Sequence, residues 1–232
     1  MSPEEAQALW LSARVATVAT LLCLPFGIAL GWVLARREFP GKFLANALVQ
    51  LPMVLPPVVP GYVLLLLFGT RGLIGGWLQR HLGLTLAFNW KGAVLASAVM
   101  AFPLMVQPMR IAFRMIDARL EQAAMTLGAN PLRALFTVTL PLATPGVITG
   151  ALLCFSRGLG EFGATMAFVG NIPGETRTLP LAIYSYTHLP DGEAAAGRLA
   201  LLSLALALAA LLAGDFISRR ADRRLGGHAQ RD

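Results

Sequence analysis

Two charged residues sit where charge is costly. Arg157 and Glu161 lie four positions apart in an otherwise apolar stretch, a spacing that places both on one face of a helix. An ionised side chain at the centre of a bilayer costs roughly 2.5–3.5 kcal/mol on insertion scales, so a pair held there needs a reason. Two reasons fit. Arg157 could lend positive potential to an anion's route, with Glu161 holding it in place and limiting how tightly the anion binds. Alternatively the pair clamps two helices together and never meets a solute. The other reactive side chains form no constellation. Cys23 and Cys154 fall in separate apolar stretches, and His81, His188 and His228 are scattered without ligand spacing. Neither a disulfide framework nor a metal site is expected from them, and no cofactor is. The phosphate-binding pattern Gly-x-x-x-x-Gly-Lys-Ser/Thr is missing, since Gly41-Lys42 is followed by Phe43. The chain is expected to have no ATPase site of its own.

The elements that must position these residues are membrane helices. Of 232 residues 56% are hydrophobic and 13% charged, against about 25% charged in a soluble domain. Residues 15–35, 43–70, 92–109, 134–156 and 199–214 carry no charge. A spanning helix needs about 20 mainly apolar residues. We expect an all-α membrane protein with five spans at about 10–35, 45–69, 91–113, 142–169 and 197–217, preceded by a short segment 1–9 and followed by a basic tail 218–232. The first span is not expected to be a cleaved signal peptide, because its leader, Met1-Ser2-Pro3-Glu4-Glu5, is acidic and its apolar run is too long.

Basic residues orient the spans. One set of loops and ends holds Arg36, Arg37, Lys42, Arg110, Arg114, Arg119, Arg133, Arg219, Arg220, Arg223, Arg224 and Arg231; the opposite set holds Arg71, Arg80, Lys91, Arg177 and Arg198. Cytoplasmic loops carry the excess of Lys and Arg. The N-terminus is therefore expected outside, in the periplasm, and the C-terminus and the loop 114–141 inside. The net charge of +7 reflects this distribution rather than a nucleic-acid partner, and the Arg219–Arg224 cluster reads as a helix end beside anionic membrane lipid.

Prolines and glycines interrupt the spans. The second contains Pro52, Pro56, Pro57 and Pro60, the third Pro103 and Pro108, and the fourth Gly158, Gly160 and Gly163 around the charged pair. Proline removes a donor and clashes with the preceding turn, and irregular backbone at membrane depth persists only where protein buries it or water reaches it. Broken spans of this kind suit a transport pathway, with Pro56 and Pro57 as candidates to line it beside Arg157 and Glu161. Close helix packing through small residues is the other use of such glycines.

The loop 114–141 carries the most specific pattern. Residues 117–127 suit a short helix, with Asp117 able to cap its start and Gly128 to end it. Pro131 suits the first position of a second short helix. Ala123 and Ala124 leave a shallow face that could slot into a partner's groove. Glu121-Gln122-Ala123-Ala124, Gly128, Val138 and Leu140-Pro141 resemble the coupling loop of bacterial ABC-importer permeases: Glu-Ala-Ala, three residues, Gly, nine residues, an aliphatic residue, one residue, Leu-Pro. Gln122 stands where that pattern has Glu, with the acid one residue earlier at Glu121.

Three further stretches resemble molybdate permeases: Leu55-Pro56-Pro57-Val58-Val59 leading into Gly61-Tyr62, Ala98 to Leu104, and Gly160-Glu161-Phe162-Gly163-Ala164-Thr165 running on to Pro180. Sulfate and tungstate permeases share much of the last. The resemblance implies a type I ABC-importer permease fold. It also implies two copies of the chain enclosing the pathway, two copies of an ABC ATPase subunit docked on the coupling loop, and an external oxyanion-binding protein delivering molybdate or another oxyanion. A passive channel would use the same broken spans but no coupling loop, and a membrane-embedded enzyme would need catalytic groups gathered at one depth.

Overall fold

The computed structural model describes residues 2–226; His228, Ala229 and Arg231, at the far end of the expected tail, lie outside it. The described residues are helical, without strands. In chain order they form α1 (Pro3–Arg36), α2 (Lys42–Val54), α3 (Val58–Phe68), α4 (Leu73–Leu82), α5 (Trp90–Met115), α6 (Ala118–Thr126), α7 (Pro131–Ala134), a π-helical turn (Leu135–Thr139), α8 (Leu140–Leu159), α9 (Gly163–Val169), α10 (Leu179–Thr187) and α11 (Glu193–Gly226).

Helix α5 is the axis of the bundle. Met105, Val106, Met109 and Phe113 on it are fully buried. Lipid tails are as apolar as these side chains, so association in a bilayer rests on close packing rather than on escape from water. Glycines supply the closeness. On α1, a Cβ at Gly27 would lie 2.8 Å from Met105 Sδ, and one at Gly31 3.1 Å from Met109 Cβ. On α8, a Cβ at Gly146 would lie 2.3 Å from Ala112 Cβ, and one at Gly150 2.5 Å from the Met105 carbonyl oxygen. Each pair is spaced by four residues, so each presents one glycine face to α5. This packing also explains a departure from the sequence. Pro103 and Pro108 lie inside α5 without breaking it, because α1 and α8 enclose the helix and hold it together.

Helices α1 and α5, the stretch Pro131–Leu159 from α7 through α8, and α11 as far as Gly214 are long and apolar enough to cross a membrane; α2 and α3, if taken as one span bent by 109°, make a fifth. The prolines explain the bend. Pro56 pushes Leu55 into extended backbone (φ −75°, ψ 146°). Pro57 then caps α3, and Pro60 falls in the first turn, where a missing N–H leaves nothing unpaired. Bent as it is, the pair still runs the length of α5. Asn46 near its start accepts from Arg110 Nη1 at 2.6 Å, and Phe68 at its end packs in the cluster that holds Leu86 and Trp90.

The first span also differs from expectation. Helix α1 begins at Pro3, so residues 3–9 are its opening turns rather than a separate segment. Ser2 Oγ accepts from the Glu5 N–H at 3.2 Å and Glu5 Oε2 accepts from the Ser2 N–H at 2.8 Å, a reciprocal cap that starts the helix early. Glu5 Oε1 then pairs with Arg198 Nη2 at 2.7 Å, tying α1 to α11. Ser12 Oγ accepts from the Leu179 N–H at 2.6 Å, which docks α10 beside them.

An apolar cavity of about 890 Å³ lies where α2 stands off from α1 and α5, between Leu22, Phe26, Val49, Val94, Ala98 and Phe102. Its lining side chains are almost all apolar, with Lys91 the one charged member.

Candidate functional site

Two of the breaks expected from sequence face each other. Helix α8 ends at Leu159 and α9 starts at Gly163. Arg157 is therefore in the last turn of α8, while Glu161 lies in the link beyond it. The expectation that both lie on one face of a helix is corrected accordingly, since the helix ends between them. The pair forms even so, with Arg157 Nη1 at 2.7 Å from Glu161 Oε2. The second carboxylate oxygen, Oε1, accepts from the Ala164 N–H at 2.8 Å. Glu161 thus satisfies an otherwise unpaired donor in the first turn of α9 and answers the positive end of that helix.

The break between α2 and α3 closes onto this link. A Cβ at Gly163 would lie 2.7 Å from Pro57 Cβ, and one at Gly61 2.6 Å from the Ala164 carbonyl oxygen and 2.8 Å from Ala167 Cβ. Pro57, Gly61, Gly163 and Ala164 are thus in close contact, while Pro56 and Pro57 are both largely exposed. Gly158 serves another contact, its Cβ position lying 3.4 Å from Ala16 of α1. Burial divides the charged pair. The Glu161 side chain is 1% exposed and the Arg157 side chain 30%. Both carboxylate oxygens are taken by protein, whereas the guanidinium carries five donors in a fixed fork and is partly open.

The loop 114–141 forms a second assembly. Asp117 Oδ1 accepts from the Arg119 N–H at 2.9 Å, capping α6. Gly128 follows the helix at φ +91°, a conformation that a side chain resists, with no atom within 4 Å of its Cβ position. Pro131 opens α7, capped by Asn130 Oδ1 accepting from the Arg133 N–H at 2.7 Å. Gln122 and Ala123 are exposed and Ala124 half-exposed. Glu121 points the other way: its Oε1 accepts from Thr139 Oγ1 at 2.8 Å and lies 3.1 Å from Arg36 Nη2. Leu140 and Pro141 begin α8 directly after the π-helical turn.

Sequence reasoning passed over three apolar residues here. Leu127 is 89% exposed, Leu132 67% and Phe136 63%. Leu127 lies on the link between α6 and α7, and Leu132 and Phe136 at the start of the stretch that leads into α8; an exposed apolar patch beside the loop marks an interaction surface. Their position beside the coupling motif was the available signal. Arg36 and Thr139 were also passed over, since their tie to Glu121 joins residues far apart in sequence.

Comparison with known proteins agrees with this architecture. Residues 27–226 match the family described as "Binding-protein-dependent transport system inner membrane component". The chain is 52% identical over 226 residues to the molybdenum transport system permease protein ModB of Escherichia coli (strain K12), covering 97% of this chain and 99% of that one. It is 50% identical over 222 residues to the ModB of Haemophilus influenzae, covering 96% and 97%. Among solved structures, a chain of the MetNI methionine ABC transporter in an inward-facing conformation superposes with a TM-score of 0.71 at 20% identity, covering 95% of this chain and 99% of that chain. A chain of a bacterial ABC transporter that imports alginate gives a TM-score of 0.73 at 16% identity, covering 95% and 80%. The chain belongs to the family of binding-protein-dependent transport system inner membrane components. It is a transport permease subunit with a type I ABC-importer permease fold, and a multi-pass protein of the inner membrane.

Proposed function

We propose that this chain forms, with a second copy of itself, the pathway by which molybdate enters the cytoplasm, driven by two copies of a separate ABC ATPase subunit and supplied by a periplasmic oxyanion-binding protein. The near-full-length likeness to molybdenum permeases carries this reading. Uptake of radiolabelled molybdate into cells lacking their own molybdate importer, restored by this chain with its cognate ATPase and binding protein, is the test. Expected is uptake that excess tungstate or sulfate inhibits less than excess molybdate does. Uptake of sulfate in preference to molybdate would replace the substrate assigned here.

In this reading the N-terminus is periplasmic, the C-terminus cytoplasmic, and α6 faces the ATPase. The basic asymmetry of the loops supports the orientation, and the exposure of Gln122, Ala123, Leu127, Leu132 and Phe136 supports the docking role. Ala123→Trp should abolish uptake while the protein still inserts and dimerises, and normal uptake in that variant would refute docking through α6. The chain supplies no ATPase site, so purified alone it should not hydrolyse ATP.

Arg157 is assigned to the anion's route and Glu161 to holding it. The division follows from exposure, because Glu161 has both oxygens engaged by protein and Arg157 has donors to spare. Arg157→Lys keeps the charge but loses the planar fork, so it should raise the concentration for half-maximal uptake more than it lowers the maximal rate. An unchanged half-maximal concentration in a stably assembled variant would return the pair to a purely structural clamp.

A further inference from the structure

Four elements converge on one carboxylate. Glu121 stands in the first turn of α6. Its Oε1 takes Thr139 Oγ1 at 2.8 Å from the π-helical turn and Arg36 Nη2 at 3.1 Å from the end of α1. The same Nη2 donates to the carbonyl oxygen of Ile116, the residue that closes α5, at 2.8 Å. Thr139 is fully buried, and the Arg36 and Glu121 side chains are 15% and 21% exposed. The ion pair is therefore shielded from the solvent screening that makes exposed pairs weak.

The local sequence builds this meeting point. The Leu140 N–H bonds back to the Leu135 carbonyl, five residues away, which defines the π-turn. Pro141 follows and has no N–H to offer the carbonyl of Thr137. In a regular α-turn its ring would press on that carbonyl, and the wider π-turn gives it room. The Leu140-Pro141 pair thus sets the widened turn, and the widened turn carries the buried Thr139 hydroxyl to Glu121.

We propose that Glu121 is a positioning residue of the importer. It does not meet the ATPase. Through Arg36 and Thr139 it latches α6 to α1, α5 and α8, so that displacement of α6 moves those helices instead of being absorbed by the loop. The proposal rests on α6 being the ATPase docking element, and it separates two roles along the motif: Gln122 and Ala123 face outward to the partner, and Glu121 faces inward to its own spans.

The test uses the complete transporter, permease with ATPase and binding protein, in proteoliposomes. The readout is ATP hydrolysed per anion imported. Glu121→Ala should leave the ATPase bound and hydrolysing, and raise that ratio on the order of fivefold or more, the lower range of measured coupling between sites. The charge exchange Arg36→Glu with Glu121→Arg should restore most of the coupling, and Thr139→Val, which removes no charge, should give a smaller rise of about twofold. Wild-type coupling in Glu121→Ala would overturn the proposal. Loss of ATPase binding in Glu121→Ala would also overturn it, since that side chain would then be a docking contact. Failure of the exchange to restore a coupling defect would overturn the Arg36 link. Should Glu121→Ala not assemble, Thr139→Val decides alone: an unchanged ratio overturns the latch. Failure of the docking premise reads out separately, as normal uptake by Ala123→Trp.

Discussion

At the scale of single residues, the positions without side chains make the sharpest predictions. Gly61 and Gly197 are both helical glycines, yet their surroundings are opposite. A Cβ at Gly61 meets the Ala164 backbone at 2.6 Å, while one at Gly197 meets nothing within 4 Å. Gly61→Ala should destabilise the fold by about 1–3 kcal/mol, the usual cost of overpacking, and Gly197→Ala should be neutral or stabilise it by up to about 1 kcal/mol through helix propensity. Thermal unfolding of the two purified variants in detergent checks both, and equal melting temperatures would show that the α3–α9 contact is looser than described. Leu127→Ser belongs beside them. That residue is 89% exposed, so the change should leave thermal stability untouched and weaken ATPase retention on affinity purification.

Whole elements respond to prolines according to what surrounds them. Pro56 and Pro57 bend the second span by 109°, whereas Pro103 and Pro108 leave α5 continuous. The first outcome was legible in the sequence, because adjacent prolines dictate backbone angles locally whatever their neighbours do. The second was not, because α5 is held by glycine faces on α1 and α8 that residue spacing within α5 does not reveal. The same distinction explains the charged pair. The spacing of Arg157 and Glu161 announced an ion pair, but the end of α8 between them depends on α9 docking against Pro57. It likewise explains the coupling loop, whose caps are local and whose Glu121 partners are not. The bend invites a direct measurement. With spin labels at Leu48 and Leu66, which are both exposed, Pro56→Ala with Pro57→Ala should lengthen the distance between them as the segment straightens. An unchanged distance would assign the bend to the Gly163 contact rather than to the prolines.

The molecule as a whole is ordered by charge at its ends and by small residues at its centre. At one end Arg36 bonds the Ile116 carbonyl beside the coupling loop, and Arg110 bonds Asn46 near the start of the bent span. Glu5, Arg198 and Tyr186 fasten α1, α10 and α11 at the other end, with the Tyr186 hydroxyl 3.4 Å from Glu4. Cysteines placed at Ser2 and at Ala229 should react with an impermeant thiol reagent from opposite faces of the membrane. Labelling of both from one face would mean that the bent α2–α3 pair returns to the side it entered. The expected orientation rests on residue counts per loop, which any sequence displays; the joining of residues 2–12 to 179–198 was not legible, because it depends on the closed bundle.

The π-helical turn also has a rotational meaning. It spends one residue more per turn than its neighbours, and an α-helix advances about 100° for each residue. The turn between α7 and α8 therefore acts as a one-residue insertion that sets the azimuth of the docking face relative to the spans. Deleting Phe136, an exposed residue within it, would take out that inserted residue without removing any buried group, and would press the Pro141 ring onto the Thr137 carbonyl. The spans would keep their packing, but α7 would be turned about the axis of α8 and the Thr139 hydroxyl carried away from Glu121. The permease should then insert and pair with its second copy normally while presenting its coupling face in the wrong direction.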